Sequence, residues 1–427
     1  MKKILVKGPA LSRSGYGEQT RFALRSLRSR PDLFDIYLIN IPWGQTGHIS
    51  GNDEEINWLH GLLQKTAMYL EQQPTHGHFE MSLQVTIPLE FERLAPVNIG
   101  YTAGIETTKI APQWIDKTNQ MVNKIITISQ HSKNVFNNTK YSGTNSQTGE
   151  PISNFGVNVP VEVVGYPTMD IEPEPLDLEF TTTKNFLAVS QWGPRKNLSN
   201  TIKWFMQEFK DDAEAGLVLK TNLASDSLPD RLHTINRLKG LIQQVESSFT
   251  EGERKCKIYL VHGEISPGQL KWLYAHPTMQ ALINIAHGEG YGLPLFEAAQ
   301  SALPLVTITW GGQLDFICRP NKKGKAVPHV IPVDYTIGPV QKAAHWEGVI
   351  QPDSMWAFAR ESSFKRALRE AIDKQSHYRN RADLLQKTIA ENFTPDAMYK
   401  RFVSFLCEEE DEEVAEWLKK IDEISEL

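Results

Sequence analysis

The strongest constraint on this chain is an alternation. Short apolar runs bounded by glycine, proline or polar residues are separated by stretches with helical spacing. Lys3–Val6, Ile36–Ile39, Val97–Tyr101, Lys124–Ile128 and Val161–Val164 form one set; Asn185–Val189, Ala215–Leu219, Lys257–Val261, Gln280–Ile285 and Leu305–Ile308 form a second. Strands of this kind, each followed by a helical crossover, suit parallel sheets buried on both faces. The pattern predicts an α/β chain with two Rossmann-like, doubly wound parallel-sheet domains facing a cleft, with ligands outside the carboxyl ends of the strands. The length of 427 residues fits two such domains. Between the sets, Pro167 to Thr183 carries three prolines (167, 173, 175) among acidic and threonine residues, the composition of an exposed linker. The expected division is residues 1–167, a linker at 168–183, a second domain at 184–392, and terminal helices at 393–427. Lys140 to Asn158, rich in Ser, Thr, Asn and Gly, reads as a surface loop.

Composition excludes several classes. With 40% hydrophobic and 22% charged residues the chain is neither disordered nor fibrous. Cys256, Cys318 and Cys407 are too few and too scattered for a disulfide framework or a cysteine zinc site. No run approaches the ~20 apolar residues of a membrane span, and the apolar opening Ile4-Leu5-Val6 ends at Lys7-Gly8-Pro9, too soon for a signal peptide. A cytoplasmic location is expected. His76-Gly77-His78 and Asp211-Asp212 hint at metal ligation, but neither completes a ligand set, and no essential metal is expected.

The net charge of −6 is unevenly spread. Cys407 to Leu427 holds ten acidic residues and two lysines, with Val414, Trp417, Leu418, Ile421 and Ile424 at amphipathic-helix spacing. The first forty residues hold eight basic side chains against three acids, and Arg21, Arg25 and Arg28 align as a stripe on a helix. That stripe suits a phosphorylated or membrane-surface partner, and equally an ordinary solvated face. It is too narrow for duplex nucleic acid, which is not an expected partner.

The chemistry concentrates at Ile285-Ala286-His287-Gly288-Glu289-Gly290-Tyr291-Gly292-Leu293-Pro294-Leu295-Phe296-Glu297. A strand turns on three glycines into a helix, with Pro294 suited to its start. Glycines let backbone N–H groups approach a ligand, and a helix N-terminus favours an anion. Glu289 on the loop and Glu297 in the first helical turn suit a diol-bearing ligand, or merely complement the helix dipole.

Glu289 and Glu297 are spaced Glu-x7-Glu, and the surrounding motifs resemble the retaining glycosyltransferases of family 4, which have the GT-B architecture. Ile258–Ser266 with Leu270, Leu273 and Tyr274 resembles the family's segment beside the nucleotide base; Pro304–Gly312 resembles the turn that closes the donor pocket; Phe186–Asn197 resembles the strand and loop that supply diphosphate-binding cations. Ile99 to Glu106 and Ile128 to Lys133 match more loosely. The resemblance implies a nucleotide-diphosphate-sugar co-substrate without a further cofactor. Catalytic roles fall to Glu289 on the donor sugar and to Lys196 and Arg195 on the diphosphate. Glu297 would hold the ribose hydroxyls, Gly290, Tyr291, Gly292 and Leu293 the phosphate or sugar, with Gly15 and Gly17 facing them from the first domain. Solvated surface cations and ordinary tight-turn glycines are the plainer alternatives. The resemblance also implies that the terminal helices, with Phe393, Met398, Phe402 and Phe405-Leu406, return to brace the first domain.

Two departures stand out. Ser190-Gln191 replaces a Gly-Arg pair common in the family, with Lys220 as a substitute cation, and Tyr101–Glu106 lacks the family's usual histidine, leaving Glu106 or His131 on the acceptor side. The acceptor class is open: glycan, lipid-linked or phosphorylated acceptors fit best. A non-catalytic sugar-nucleotide-binding scaffold, or a phosphorylase or epimerase of the same fold, are the competing readings.

Overall fold

A computed structural model of the chain describes residues 1–51, 53–72, 79–144, 149–321 and 323–407. His76-Gly77-His78 and the amphipathic pattern Val414 to Ile424 lie outside the described residues.

The first sheet comprises β1 (Lys2–Gly8), β2 (Phe34–Asn40), β3 (Met81–Val85), β4 (Val97–Thr102), β5 (Lys124–Thr127) and β6 (Val161–Val163), all parallel in the order β2-β1-β3-β4-β5-β6. The second comprises β7 (Lys184–Val189), β8 (Ala215–Lys220), β9 (Lys257–Val261), β10 (Met279–Asn284), β11 (Leu305–Ile308) and β12 (Ile331–Val333), parallel in the order β9-β8-β7-β10-β11-β12. Each sheet is doubly wound: strand order reverses between β1 and β3 in one and between β7 and β10 in the other. Loops leaving adjacent strands there diverge to opposite faces and open a crevice at the carboxyl ends. The loops after β1 and β10 both begin at these reversals.

Two strands escape a hydrophobicity reading. β3 reads Met-Ser-Leu-Gln-Val, a half-polar pattern, yet all five residues are buried. Its polar side chains are satisfied inside the domain: Ser82 Oγ bonds Asn98 Oδ1 at 2.7 Å and Gln84 Nε2 bonds the Glu92 carbonyl at 2.7 Å. β12 contains Pro332, which is tolerated because β12 is the edge strand. The stretch expected as a surface loop at 140–158 instead contains an antiparallel pair, Tyr141–Thr144 with Pro151–Phe155. A further antiparallel pair, Tyr335–Pro339 with Met355–Ala359, rises from the second sheet.

Five helices matter for the site. They are α1 (Gly15–Arg28), α2 (Glu54–Gln72), α3 (Pro267–Ala275), α4 (Leu293–Gln300) and α5 (Pro395–Leu406). The last helix among the described residues, α5, packs on α1 beside the first sheet. Phe402 sets its ring 5.4 Å from Phe22 and 5.1 Å from Tyr101, and Lys124 Nζ donates to the Phe405 carbonyl at 2.9 Å.

The arginine stripe of α1 is not an open basic patch. Arg21 is buried and donates to the carbonyls of Ala10 and Ser12 at 2.8 and 3.0 Å, stapling the loop after β1 to its helix. Arg21 and Arg25 both pair with Glu18, Arg25 also pairs with Glu55, and Arg28 pairs with Glu54. The carboxylates of α1 and α2 thus neutralise the stripe, which removes it as an anion site. Spacing within one helix could not reveal this, because most of the partners come from another. Among the described residues no helix is long and apolar enough to cross a membrane.

Candidate functional site at the carboxyl ends of the two sheets

The site is built around one buried carboxylate. Glu289, on the loop after β10, is 5% exposed. It accepts from Lys196 Nζ at 2.7 and 2.9 Å, from Arg195 Nη1 at 3.1 Å and from Asn284 Nδ2 at 2.9 Å. Arg195 and Lys196 stand on a single 3-10 turn, Pro194–Lys196, after β7, so the two neighbouring strands at the reversal supply opposite charges. Burial opposes ionisation of Glu289, but Lys196 and Arg195 outweigh it and hold the carboxyl down at about 2. Burial and the adjacent Arg195 push Lys196 below the ordinary lysine range, with Glu289 opposing.

Arg195 also reaches the first domain. Its Nη1 donates to the Gly288 carbonyl at 2.8 Å and its Nη2 lies 3.3 Å from Glu106 Oε1, on the loop after β4. Burial raises the Glu106 carboxyl; Arg195 opposes this and Glu289 adds to it. The two domains touch closely here. A Cβ on Gly288 would lie 1.9 Å from the Glu106 carbonyl oxygen, so only glycine admits this approach. On the flank, Gln130 N donates to Asp315 Oδ2 at 2.8 Å, and Arg13 pairs with Glu264.

The antiparallel pair after β12 holds this loop from the other side. His287 is buried, stacks on Trp356 with ring centroids 4.9 Å apart, and shares a 2.7 Å bond between Nδ1 and the Ala357 carbonyl. That contact makes Nδ1 the protonated nitrogen, leaving Nε2 to accept from Gln341 at 3.1 Å. Burial pushes the imidazole pKa down, so the ring stays neutral. The same segment crosses to the first domain: Thr108 N donates to the Met355 carbonyl at 3.0 Å and Lys109 pairs with Asp353 at 2.5 Å. Trp356 and Gln341 lack any sequence signal, being distant from every glycine-rich motif; they were missed for that reason.

The other expected site residues divide. Gly292 has φ +91° and is the N-cap of α4, a conformation that favours glycine, and Leu293 opens the helix. Gly290 faces Gly104 of the first domain, where a Cβ would sit 3.1 Å from the Gly104 nitrogen. Tyr291, expected among the binding residues, turns its ring into the core, where Tyr166, Phe296 and Phe316 surround it at 5.1 to 5.4 Å, so only its backbone faces the loop. Glu297 lies beyond the first turn of α4, so it does not complement the dipole. It accepts from the Tyr274 hydroxyl of α3 at 2.9 Å, and burial pushes its carboxyl up to about 7. Gly15 is exposed at the start of α1 with open space around it. Gly17 is a packing glycine: its amide bonds Ser14 Oγ and a Cβ there would meet the Ser12 carbonyl at 2.0 Å. Lys220 donates to the Gly263 carbonyl at 2.8 Å, Gln191 donates to Leu223 O, and His131 lies edge-on to Trp310 at 5.0 Å.

No protein-family model and no curated protein matches the chain. Solved structures do. Sucrose-phosphate synthase from Thermosynechococcus elongatus superposes with a TM-score of 0.59 at 11% identity, covering 95% of this chain and 98% of that one. HepE of Anabaena, solved with UDP and glucose, gives 0.57 at 11% over 95% and 99%. A UDP-forming trehalose-phosphate synthase from Burkholderia xenovorans gives 0.55 at 10% over 94% and 98%. The chain has the GT-B fold. Its two parallel sheets, and the crevice at their carboxyl ends, are the general form of that fold.

One consequence of the buried cluster concerns stability. Glu289→Ala leaves Lys196 without its carboxylate partner and Arg195 with Glu106 alone, at an expected cost of about 3–5 kcal/mol near neutral pH. Because folding lowers the Glu289 pKa from the ordinary 4.5 to about 2, this contribution is present above 4.5 and lost as pH falls through 2. Urea denaturation of wild type and variant across pH 2 to 7 should show two curves that converge only at the acid end.

Proposed function

We propose that this protein is a retaining glycosyltransferase of the family-4 type, moving a sugar from a nucleotide-diphosphate-sugar to an acceptor hydroxyl. One observation carries the reading most: Glu289, Lys196 and Arg195 converge at the reversal point of the second sheet while facing Glu106 of the first. The HepE complex with UDP and glucose, on the same fold, fits such a donor. In this reading residues 184–392 form the donor side and 1–167 the acceptor side, joined by the 168–183 linker and tied back by the helices from 393.

The chemistry follows from the charges. The nucleotide diphosphate displaces Glu289 as the partner of Lys196 and Arg195, which then neutralise charge as the bond from anomeric carbon to phosphate oxygen breaks. The acceptor oxygen forms its bond to that carbon on the same face, and the departing phosphate takes the acceptor proton. No carboxylate nucleophile is needed. Glu289, released from the cations, reaches the donor sugar, while the backbone at Gly290, Gly292 and Leu293 and the N-terminus of α4 hold the phosphate. Glu297 accepts from the ribose hydroxyls. A metal is not required to balance the diphosphate when two cations already face it.

Incubation with UDP-glucose, ADP-glucose and GDP-mannose, with proton NMR following the released anomer, tests the reading. Slow hydrolysis of one donor to nucleoside diphosphate and a sugar that first appears with the donor's own configuration is expected. Inversion would remove the retaining assignment; sugar 1-phosphate released together with nucleoside diphosphate only when inorganic phosphate is added would make the protein a phosphorylase. A scaffold would turn over none.

The ribose assignment predicts a pH dependence. Only the ionised Glu297 accepts two hydroxyl bonds, and its carboxyl protonates as pH falls through about 7. Affinity for the donor nucleotide sugar, whose diphosphate has no group that titrates near neutral pH, should weaken progressively below pH 7 in the wild type, measured calorimetrically, and change much less in Glu297→Gln.

A further inference from the structure

We infer that the first domain carries a pyranose-binding platform formed by Trp43 on Tyr16, and that the acceptor is therefore a carbohydrate; this rests on the glycosyl-transfer reading above.

Tyr16 occupies the first turn of α1, directly after the loop leaving β1. Its ring cannot turn away. The hydroxyl lies 2.9 Å from Thr102 Oγ1 and 2.8 Å from the Ala103 carbonyl, and it accepts from the Ala103 amide at 3.2 Å. Trp43, on the loop after β2, places its ring 4.2 Å from Tyr16 at an interplanar angle of 34°. Trp43 is half-buried, between exposed Pro42 and Gly44. A half-exposed indole held against a ring that is itself hydrogen-bonded in place is a rigid apolar ledge. It costs little side-chain entropy to use, unlike a flexible contact.

Its position ties it to the transfer site. A Cβ on Gly104 would lie 3.9 Å from the Tyr16 ring and hydroxyl and 3.8 Å from Glu106 Oε1, and Gly104 is the residue that faces Gly290 of the donor loop. The ledge is therefore one residue removed from the contact between the two domains. The same loop faces the second domain at Gly47, where a Cβ would meet Asp226 Oδ2 at 3.6 Å. Beside the rings lies a line of hydroxyls: Ser12 Oγ bonds Ser14 Oγ at 2.9 Å and Thr46 Oγ1 at 2.6 Å, and Thr46 donates to the Trp43 carbonyl at 2.8 Å.

An apolar ring face edged by hydroxyls and a carboxylate matches a pyranose. The axial C–H bonds of a sugar lie on an aromatic face while its rim of hydroxyls seeks polar partners. A lipid tail would gain nothing from the hydroxyl line. A phosphate has no use for the indole, and the arginine stripe of α1 is already neutralised.

Isothermal titration with methyl α-glucoside, methyl α-mannoside, methyl β-galactoside and maltose, each with nucleoside diphosphate present, tests the platform in wild type, Trp43→Ala and Trp43→Phe. At least one glycoside should bind the wild type. Trp43→Ala should weaken that binding by roughly tenfold or more, Trp43→Phe should recover part of it, and nucleoside diphosphate affinity should be equal in all three. Failure of the wild type to bind any of the four, or equal glycoside binding by Trp43→Ala, would overturn the platform. Absence of nucleotide binding in all three, with glycoside binding still dependent on Trp43, would instead sink the glycosyl-transfer reading and leave the platform standing.

Discussion

The site depends on the burial of Glu289 between two cations. Removing a carboxylate, an ammonium and a guanidinium from water is costly, and their mutual attraction offsets that cost only with close geometry and satisfied lone pairs. Asn284 supplies the remaining bond on Glu289, and the Gly288 carbonyl and Glu106 supply those on Arg195. The arrangement stores two positive charges at the mouth of the second sheet without ligand. In the proposed reaction an incoming diphosphate would replace Glu289, each phosphate oxygen taking over a partner already oriented and desolvated. Preorganisation of this kind makes electrostatic stabilisation of a departing diphosphate effective.

Everything near this cluster acts to keep its loops in place. The Gly288 approach to Glu106 sets how closely the domains meet, and a side chain there would push them apart. His287 is locked as a neutral ring between Trp356, the Ala357 carbonyl and Gln341, and its own amide donates to the Arg195 carbonyl at 2.8 Å. His287 thus couples, through its amide and its ring together, the carboxylate loop, the cation turn and the antiparallel segment that reaches Thr108 and Lys109. This coupling explains how residues from three separated parts of the chain hold one geometry.

Much of the architecture was legible because parallel sheets buried on both faces need continuous apolar strands. Those runs stand out in Leu217-Val218-Leu219 or Ala281-Leu282-Ile283. β3 was not legible, because Ser82 and Gln84 are buried with partners that only the folded domain provides. The pairing Lys196–Glu289 was readable as two motifs but not as a contact, since 93 residues separate them. Tyr291 shows what a motif leaves out: its position on the loop is legible, but that its ring serves the core is not. The arginines of α1 misled for a related reason. Periodicity shows which residues share a face, and says nothing about the glutamates on the helix that packs against it. Trp356, Gln341 and the Trp43–Tyr16 ledge were invisible, because aromatic and amide residues in loops carry no spacing rule.

In the proposed mechanism Glu289 holds Lys196 and Arg195 for exchange onto a diphosphate. The most direct measurement is a crystal structure of the protein bound to UDP. Lys196 Nζ is expected to leave Glu289 for a β-phosphate oxygen at hydrogen-bond distance, with the phosphate lying over Gly292 and Leu293. A diphosphate bound elsewhere, with the Lys196–Glu289 pair intact, would contradict it.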